Sequence, residues 1–135
     1  MRLLRNHRIN RKTILLVDDN SVMCHLMTKI LERDYNVHSF TSPIEAINWL
    51  KMSDEAPDVI VTDITMDEMS GVEFAQFLSL NGLYSNIPLI FISGLPESEM
   101  SEQIFSVNYN GYAQKPFKPN DLIDHIENVA NAAFA

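Results

Sequence analysis

The sequence has little of several residue types that mark particular protein classes. Among 135 residues it contains one cysteine, Cys24, one tryptophan and four glycines. A single cysteine excludes an internal disulfide and suits a reducing compartment. No apolar run reaches the roughly 20 residues that a membrane-spanning helix needs, and the four histidines show no spacing typical of zinc ligands. We therefore expect a soluble, cytoplasmic protein that has neither a membrane segment nor a zinc site.

Basic residues are scarce beyond the first twelve positions. Residues 1–12 contain five of the ten basic residues and no acidic residue, whereas the remainder carries five basic against eighteen acidic residues, a formal charge of −13. A body this acidic is not expected to bind nucleic acid or an anionic membrane by charge. We predict that residues 1–11 form a basic tail and that residues 12–135 form one domain, because this length suffices for one hydrophobic core.

Short apolar runs alternate with amphipathic stretches along the rest of the chain. The runs have the length and composition of strands, most of them buried on both faces as in a parallel sheet covered by helices. Ser42–Glu45 and Ser70–Glu73 match the capping box that opens a helix. The alternation predicts an α/β fold, an open parallel sheet of five strands with five helices. The predicted strands are Lys12–Val17, Asn36–Phe40, Val59–Thr62, Ile87–Ile92 and Gly111–Gln114.

Apolar residues at helical spacing predict which side chains the five helices turn toward the sheet. Asp19 or Asn20 is a suitable N-cap for the first of these helices. Trp49 falls off the stripe of the second helix, and we expect it to be partly exposed. The predicted stripes, in chain order, are Val22, Met23, Leu26, Met27, Ile30 and Leu31; Ile44, Ile47 and Leu50; Phe74, Phe77 and Leu78; Met100, Ile104 and Val107; and Leu122, Ile123, Ile126, Val129 and Phe134.

Polar side chains stand where the predicted strands end. Asp18 and Asp19 follow the first strand, Asp63 follows the third, and Ser93 and Lys115 follow the fourth and fifth. Right-handed crossovers bring the carboxyl ends of parallel strands to one edge of the sheet, where ligands bind. Three carboxylates in one crevice repel one another unless a cation is bound, and their oxygen atoms suit Mg²⁺. Together with a lysine and a hydroxyl, this pattern indicates a phosphoryl group accepted by an aspartate.

These positions together resemble the receiver domain of two-component response regulators. The resemblance extends from about Lys12 to the last helix, and it implies a flavodoxin-like (βα)5 open parallel sheet with strand order 2-1-3-4-5 and helices on both faces. Each motif alone is weak, but their combination is specific. The motifs are Asp18-Asp19, Asp63 followed by Met66, Met69 and Gly71, then Ser93-Gly94, and Tyr112 with Lys115-Pro116-Phe117.

The resemblance assigns chemistry to individual residues. It implies that Asp63 is phosphorylated by a histidine kinase or a histidine phosphotransfer protein. It also implies a Mg²⁺ ion held by Asp18, Asp19, Asp63 and the backbone carbonyl of Thr65. Lys115 would pair with the phosphoryl group, and its bond to the following proline is often cis in the family. The chain would then be a regulatory phosphoacceptor and not an enzyme.

The same resemblance implies a switch. Ser93 would move toward the phosphoryl group, and Tyr112 would rotate into the space behind it. The surface formed by the helix at residues 97–107, the last strand and the last helix would then change. We expect this surface to bind a downstream output protein or to form a phosphorylation-dependent homodimer.

Two sites depart from the usual pattern of the family. Asp67 stands where the family commonly has proline, which adds a charge near the predicted metal site. Asn108 and Tyr109 stand where a Gly-Ala pair is usual, beside the predicted switch surface. Neither departure removes a residue that the chemistry needs.

Three other functions compete with this interpretation. A receiver-like scaffold that acts without phosphorylation stays open, because every needed residue would be present in it as well. An aspartate-dependent phosphohydrolase of the haloacid dehalogenase type is disfavoured, because its chemistry requires an acid at the position of Thr65. A flavin carrier is disfavoured too, because Asp18-Asp19-Asn20 would repel a phosphate at the turn after the first strand.

Overall fold

A computed structural model describes the chain from residue 11 to residue 134, with side chains described as far as residue 132. Strands and helices alternate through this range as the sequence predicts. No helix among the described residues is long and apolar enough to cross a membrane. In chain order the elements are β1 (Thr13–Val17), α1 (Ser21–Leu31), β2 (Asn36–Phe40), α2 (Pro43–Met52), β3 (Val59–Asp63), α3 (Gly71–Ser79), β4 (Leu89–Ser93), α4 (Glu97–Ile104), β5 (Gly111–Gln114) and α5 (Pro119–Phe134).

The five strands form one parallel sheet in the order β2-β1-β3-β4-β5. The three central strands, β1, β3 and β4, are almost completely buried, because helices cover both faces of the sheet. Strand β2 lies at one edge and is partly exposed, in agreement with its less apolar sequence. The prediction of a flavodoxin-like fold with strand order 2-1-3-4-5 is confirmed. All five carboxyl ends therefore lie at one edge of the sheet.

The helices form two layers, one on each face of the sheet. Helices α2, α3 and α4 pack on one face, in a cluster that includes Leu50, Phe74 and Met100. Helices α1 and α5 pack on the other face, in a cluster that includes Met27 and Ile126. This two-layer packing buries both faces of the sheet.

The predicted apolar face of α1 is partly wrong. Val22 is 69% exposed and Leu26 is 51% exposed, whereas the helix buries Cys24, Met27 and Leu31. The apolar stretch of α1 is wider than the strip of helix surface that the sheet covers. Its flank at Val22 and Leu26 is therefore left in solvent. The Asn20 side chain accepts the Met23 N–H and caps the helix, in agreement with the sequence.

Helix α2 begins where it is predicted, with the Ser42 hydroxyl accepting the Glu45 N–H and Pro43 in the first turn. Its predicted inner face is wrong at Ile44, which is 40% exposed, because Pro43 and Ala46 take the buried positions on that side. Trp49 is partly buried as predicted and stacks on the ring of His38.

Strand β4 begins at Leu89 and not at the predicted Ile87. Pro88 has no N–H to donate to a neighbouring strand, so regular pairing starts one residue after it.

In α3, Phe74 and Leu78 are buried as predicted and Phe77 is partly buried.

The remaining predicted helix faces agree with the structure wherever side chains are described. Helix α4 and the loop after it bury Met100, Ile104 and Val107. Helix α5 buries Leu122, Ile126 and Val129, and Ile123 is partly buried. The predicted inward position of Phe134 lies outside the residues whose side chains are described.

The start of the described chain is attached to α1. The Arg11 guanidinium donates a hydrogen bond to the Glu32 carbonyl oxygen over 3.0 Å. Residues 1–10 lie outside the described residues. The basic tail over residues 1–11, and the single domain over residues 12–135, stay predictions.

Candidate functional site

Asp63 is the last residue of β3, the middle strand of the sheet. Its side chain reaches the crevice at the carboxyl edge, and the residue is only 8% exposed. One carboxylate oxygen, Oδ1, accepts the N–H of Ile64 over 3.0 Å. A fully buried strand thus ends in a nearly buried carboxylate that the backbone N–H of Ile64 helps to orient.

Gly71, the first residue of α3, packs directly against the backbone of Asp63. A Cβ at Gly71 would lie 2.1 Å from the Asp63 carbonyl oxygen and 2.9 Å from the Ile64 Cα. The Gly71 N–H also donates to the Ile64 carbonyl oxygen over 2.7 Å. No residue with a side chain fits this approach without movement of the backbone. Gly71 therefore closes the loop of residues 64–70 back onto the end of β3.

Asp18 and Asp19 lie beside Asp63. Val17 of β1 pairs with Thr62 of β3, so the residues that follow them are neighbours across the two strands. Oxygen atoms of the three carboxylates lie within 4.8 Å of one another, close enough to hold one metal ion between them. Asp18 is fully buried and Asp19 is exposed. The prediction that three acidic residues meet in one crevice is confirmed.

Lys115 joins two of these carboxylates. Its Nζ lies 3.0 Å from Asp18 Oδ2 and 3.2 Å from Asp63 Oδ2. Its backbone N–H donates to the Ser93 carbonyl oxygen over 2.7 Å, which ties the residue after β5 to the end of β4. The peptide bond from Lys115 to Pro116 is cis. The sequence placed this lysine at the site from strand order alone, and the structure confirms it.

The site carries more negative than positive charge. Burial raises the pKa of Asp63 to about 6; the nearby Lys115 ammonium opposes this rise, and the charge of Asp18 adds to it. Burial lowers the pKa of Lys115, but its hydrogen bond to Asp18 and the charges of both carboxylates outweigh burial and raise that pKa overall. Three carboxylates and one lysine leave the crevice with a net negative charge, which suits a divalent cation. The donor set consists of oxygen atoms, as Mg²⁺ requires.

Ser93 and Tyr112 hold the same residue, Leu95, from two sides. The Ser93 hydroxyl accepts the Leu95 N–H over 3.1 Å, and the Tyr112 hydroxyl donates to the Leu95 carbonyl oxygen over 2.6 Å. Ser93 is buried, and the partly buried Tyr112 ring packs against the core cluster of α2, α3 and α4. Ser93 does not cap α4, because the N-cap position belongs to Pro96. The sequence grouped Ser93 with Tyr112 but did not indicate their common partner.

Two further contacts near the site were not predicted. The Asp67 N–H donates to Asp19 Oδ2 over 3.3 Å. The Tyr109 hydroxyl donates to a carboxylate oxygen of Glu97, and the Tyr109 ring centroid lies 5.4 Å from that of Phe91. The sequence indicated that Asp67 and Tyr109 depart from the family pattern. It did not indicate the residue that either one contacts.

Thr65 completes the set of predicted site residues. It lies exposed in the loop between β3 and α3. Its proposed role as a backbone carbonyl ligand stays a prediction, as do the roles assigned to the other residues of the site.

Comparison with protein families gives one result over most of the chain. The family model of the response regulator receiver domain matches residues 14–127. Chemotaxis protein CheY of Halobacterium salinarum is 27% identical over 122 residues, which cover 90% of this chain and 98% of that protein. The hybrid signal transduction histidine kinase D of Dictyostelium discoideum is 28% identical, over 89% of this chain and 8% of the kinase.

A solved structure gives the same answer for the fold. The chemotaxis response regulator CheY4 of Vibrio cholerae superposes with a TM-score of 0.81 and 24% identity, covering 89% of this chain and 99% of that one.

Several curated relatives are much longer than the chain, which spans 8% of the Dictyostelium kinase and 19% of protein RcaC of Microchaete diplosiphon.

Proposed function

Because this chain belongs to the response regulator receiver domain family, we propose that it is a Mg²⁺-dependent phosphoacceptor of a two-component phosphorelay and that Asp63 receives the phosphoryl group. The observation that carries the proposal is the position of Lys115 Nζ, within 3.2 Å of both Asp18 and Asp63. Those two residues belong to the three-carboxylate cluster. An acceptor, a metal site and a fixed cation are thus adjacent.

The proposed reaction transfers a phosphoryl group from the imidazole of a phosphohistidine. An oxygen of the Asp63 carboxylate attacks phosphorus, the phosphorus–nitrogen bond breaks, and the imidazole leaves with the electron pair of that bond. Asp63 has a pKa of about 6, so it is mostly ionised at neutral pH and able to act as the nucleophile.

The other residues of the site stabilise the charge that arrives. Lys115 pairs with a phosphoryl oxygen, exchanging part of its contact with the carboxylates for one with the phosphoryl group. Asp18, Asp19, Asp63 and the Thr65 carbonyl oxygen would hold Mg²⁺. When bound, that ion neutralises the excess negative charge of the site and of the transferred group.

The proposed switch acts through Leu95. The Ser93 hydroxyl accepts the Leu95 N–H, so a Ser93 side chain that turns to donate to the phosphoryl group gives up this contact. The Leu95 backbone then moves, and Tyr112, which donates to the Leu95 carbonyl oxygen, moves with it. Phosphorylation shifts the equilibrium only through such differential contacts. The surface of α4, β5 and α5 changes as a result.

The proposed function requires two kinds of partner. The phosphodonor is a histidine kinase or a histidine phosphotransfer protein, and the altered surface of α4, β5 and α5 binds an output protein or a second phosphorylated copy. The acidic body does not bind nucleic acid or a membrane by charge. The chain acts as a regulator in the cytoplasm and assists its own phosphorylation and dephosphorylation, without being an enzyme for a separate substrate.

The proposal is tested by the intact mass of the protein after incubation with acetyl phosphate and Mg²⁺. We expect the wild type to gain one phosphoryl group and Asp63→Asn to gain none. Asp124→Asn, which changes an exposed aspartate of α5, is the matched control and should behave as the wild type does. A wild type that gains no mass would favour a scaffold that acts without phosphorylation.

A further inference from the structure

We propose that the backbone N–H of Asp67 is a positioning group of the metal site, because it holds the Asp19 carboxylate in the orientation in which it binds Mg²⁺. This inference rests on the proposed function and adds a residue to it. The observation is the 3.3 Å hydrogen bond from the Asp67 N–H to Asp19 Oδ2, which joins the loop after β3 to the turn after β1.

Asp19 differs from the other two carboxylates in how it is held. Asp18 is fully buried and accepts hydrogen bonds from the Asn20 N–H and Lys115. Asp63 is nearly buried and accepts from the Ile64 N–H and Lys115. Two donors therefore fix each of these carboxylates.

The Asp19 side chain is exposed. Within residues 11–132, its carboxylate receives the hydrogen bond from Asp67 and no other described one. That single contact therefore decides how well the third carboxylate is oriented.

An exposed side chain that must be ordered to bind a ligand loses rotamer freedom, and this loss weakens binding. The Asp67 N–H restricts the Asp19 side chain before the ion arrives. The bond occupies Oδ2, and Oδ1 receives no described hydrogen bond, so the carboxylate keeps an oxygen available to the ion. The same hydrogen bond fixes the distance between two loops that each supply metal ligands, Asp19 from one and Thr65 from the other.

This contact depends on the identity of the residue at position 67. Proline has no N–H and cannot donate this hydrogen bond. Asp67 stands where the family commonly has proline, so the departure supplies a donor at the metal site. We assign the positioning role to the backbone N–H and not to the Asp67 carboxylate.

Two substitutions at position 67 separate the N–H from the carboxylate. Asp67→Ala removes the carboxylate and keeps the N–H, whereas Asp67→Pro removes both. We expect Asp67→Pro to bind Mg²⁺ about 5-fold more weakly than Asp67→Ala in calorimetric titration, as the loss of one hydrogen bond predicts. Equal affinities of the two variants would overturn the positioning role while leaving the Mg²⁺ site in place. A wild type that does not bind Mg²⁺ would instead overturn the proposed function, and the positioning role with it.

A second measurement avoids proline, which could disturb the loop in other ways. Amide exchange of Asp67 in the metal-free protein reports the hydrogen bond directly. We expect Asp19→Ala to accelerate exchange of the Asp67 amide about 5-fold. The Glu73 amide, which donates to the Ser70 hydroxyl nearby, should be unchanged and serves as the internal control. An Asp67 amide that exchanges at the same rate in both proteins would overturn the inference.

Discussion

At the scale of single residues, Asp63 lies where the ionised form of its carboxyl group is disfavoured. Burial is the main reason that ionisation is disfavoured, and it raises the pKa of Asp63 to about 6 even with the Lys115 ammonium close by. Repulsion from the Asp18 carboxylate also raises this pKa, but it is a smaller effect than burial. An ionised Asp63 in the metal-free protein is therefore costly, and a cation bound beside it would reduce that cost.

This cost predicts a pH dependence for the metal-free protein. The folded pKa of Asp63 lies above its ordinary value of 3.8, so its contribution to stability is fully present below pH 3.8 and is lost as the pH rises through about 6. The Asp63→Asn variant has no ionisable group at this position, so its stability does not fall in this way as the pH rises. In EDTA, its free energy of unfolding relative to that of the wild type should rise by about 2 kcal/mol between pH 3.8 and pH 7. Urea unfolding at several pH values measures the difference. A difference that stays constant across this range would show that Asp63 is not buried as described.

Lys115 supplies the positive charge that stabilises the carboxylates of Asp18 and Asp63. Lys115→Met leaves Asp18, which is fully buried, and Asp63 without their cation. We expect the metal-free variant to lose about 3 kcal/mol of unfolding free energy at pH 7.5, because a buried carboxylate without its cation is strongly destabilising. Lys118→Met is the control, since Lys118 is exposed. Equal losses in the two variants, measured by urea unfolding in EDTA, would contradict the described pairing.

At the scale of elements, the sequence predicted the strands well and the helix orientations less well. The central strands are apolar on both faces, so they are recognisable without knowledge of their neighbours, and the polar residues after them follow from the parallel order. The rotation of α1 about its axis is set by the sheet and by α5. The exposure of Val22 and Leu26 could therefore not be read from the spacing of apolar residues alone.

Contacts that depend on close approach were also beyond the sequence. The contact of Gly71 with the backbone of Asp63 requires the path of the loop, and the pairing of Tyr109 with Glu97 requires the segment before β5 to lie beside the first turn of α4. The Asp19 contact with Asp67 joins two loops that are 48 residues apart in the chain. Sequence spacing carries no information about any of these distances.

The approach of Gly71 predicts a large effect from a small substitution. Gly71→Ala places a methyl group 2.1 Å from the Asp63 carbonyl oxygen, so either the end of β3 or the start of α3 must move. We expect a loss of about 2 kcal/mol in unfolding free energy together with weaker Mg²⁺ binding.

Gly82→Ala is the matched control, because no atom lies within 4 Å of the added methyl group. It should leave both the unfolding free energy and the Mg²⁺ affinity close to those of the wild type. A Gly71→Ala protein that matches Gly82→Ala in urea unfolding would contradict the described loop.

The contact between Tyr109 and Glu97 predicts local stabilisation of α4. Pro96 supplies no side-chain cap for this helix. The bond from Tyr109 to Glu97 holds its first turn, and the bond from Tyr112 to Leu95 holds the residue before the N-cap. Tyr109→Phe keeps the ring beside Phe91 and removes the hydroxyl. We expect faster amide exchange in α4, with little change elsewhere.

Tyr35→Phe is the control for this experiment, because Tyr35 also donates to a glutamate, Glu127, on the opposite face of the sheet. It should leave exchange in α4 unchanged. If Tyr109→Phe and Tyr35→Phe have the same effect on α4, the hydroxyl of Tyr109 does not hold the helix.

At the scale of the whole molecule, the order of the strands assembles the site. The five polar residues at the strand ends come from four separate stretches of the sequence, at positions 18–19, 63, 93 and 115, and the parallel sheet brings them to one edge. Chains of this family occur both as nearly whole proteins and as parts of longer ones, as the matches to a chemotaxis protein and to a hybrid kinase show. All the residues of the proposed site lie within the described residues, so its proposed chemistry can be tested on this chain.

The position of the phosphoryl group is the most direct test of that chemistry. The protein is phosphorylated with acetyl phosphate and Mg²⁺, digested, and mapped by mass spectrometry with and without hydroxylamine, which cleaves acyl phosphates. We expect one phosphoryl group, on the peptide that contains Asp63, and we expect hydroxylamine to remove it. A phosphoryl group on a different peptide, or a hydroxylamine-stable ester at Ser93, would contradict the assignment of Asp63 as the acceptor.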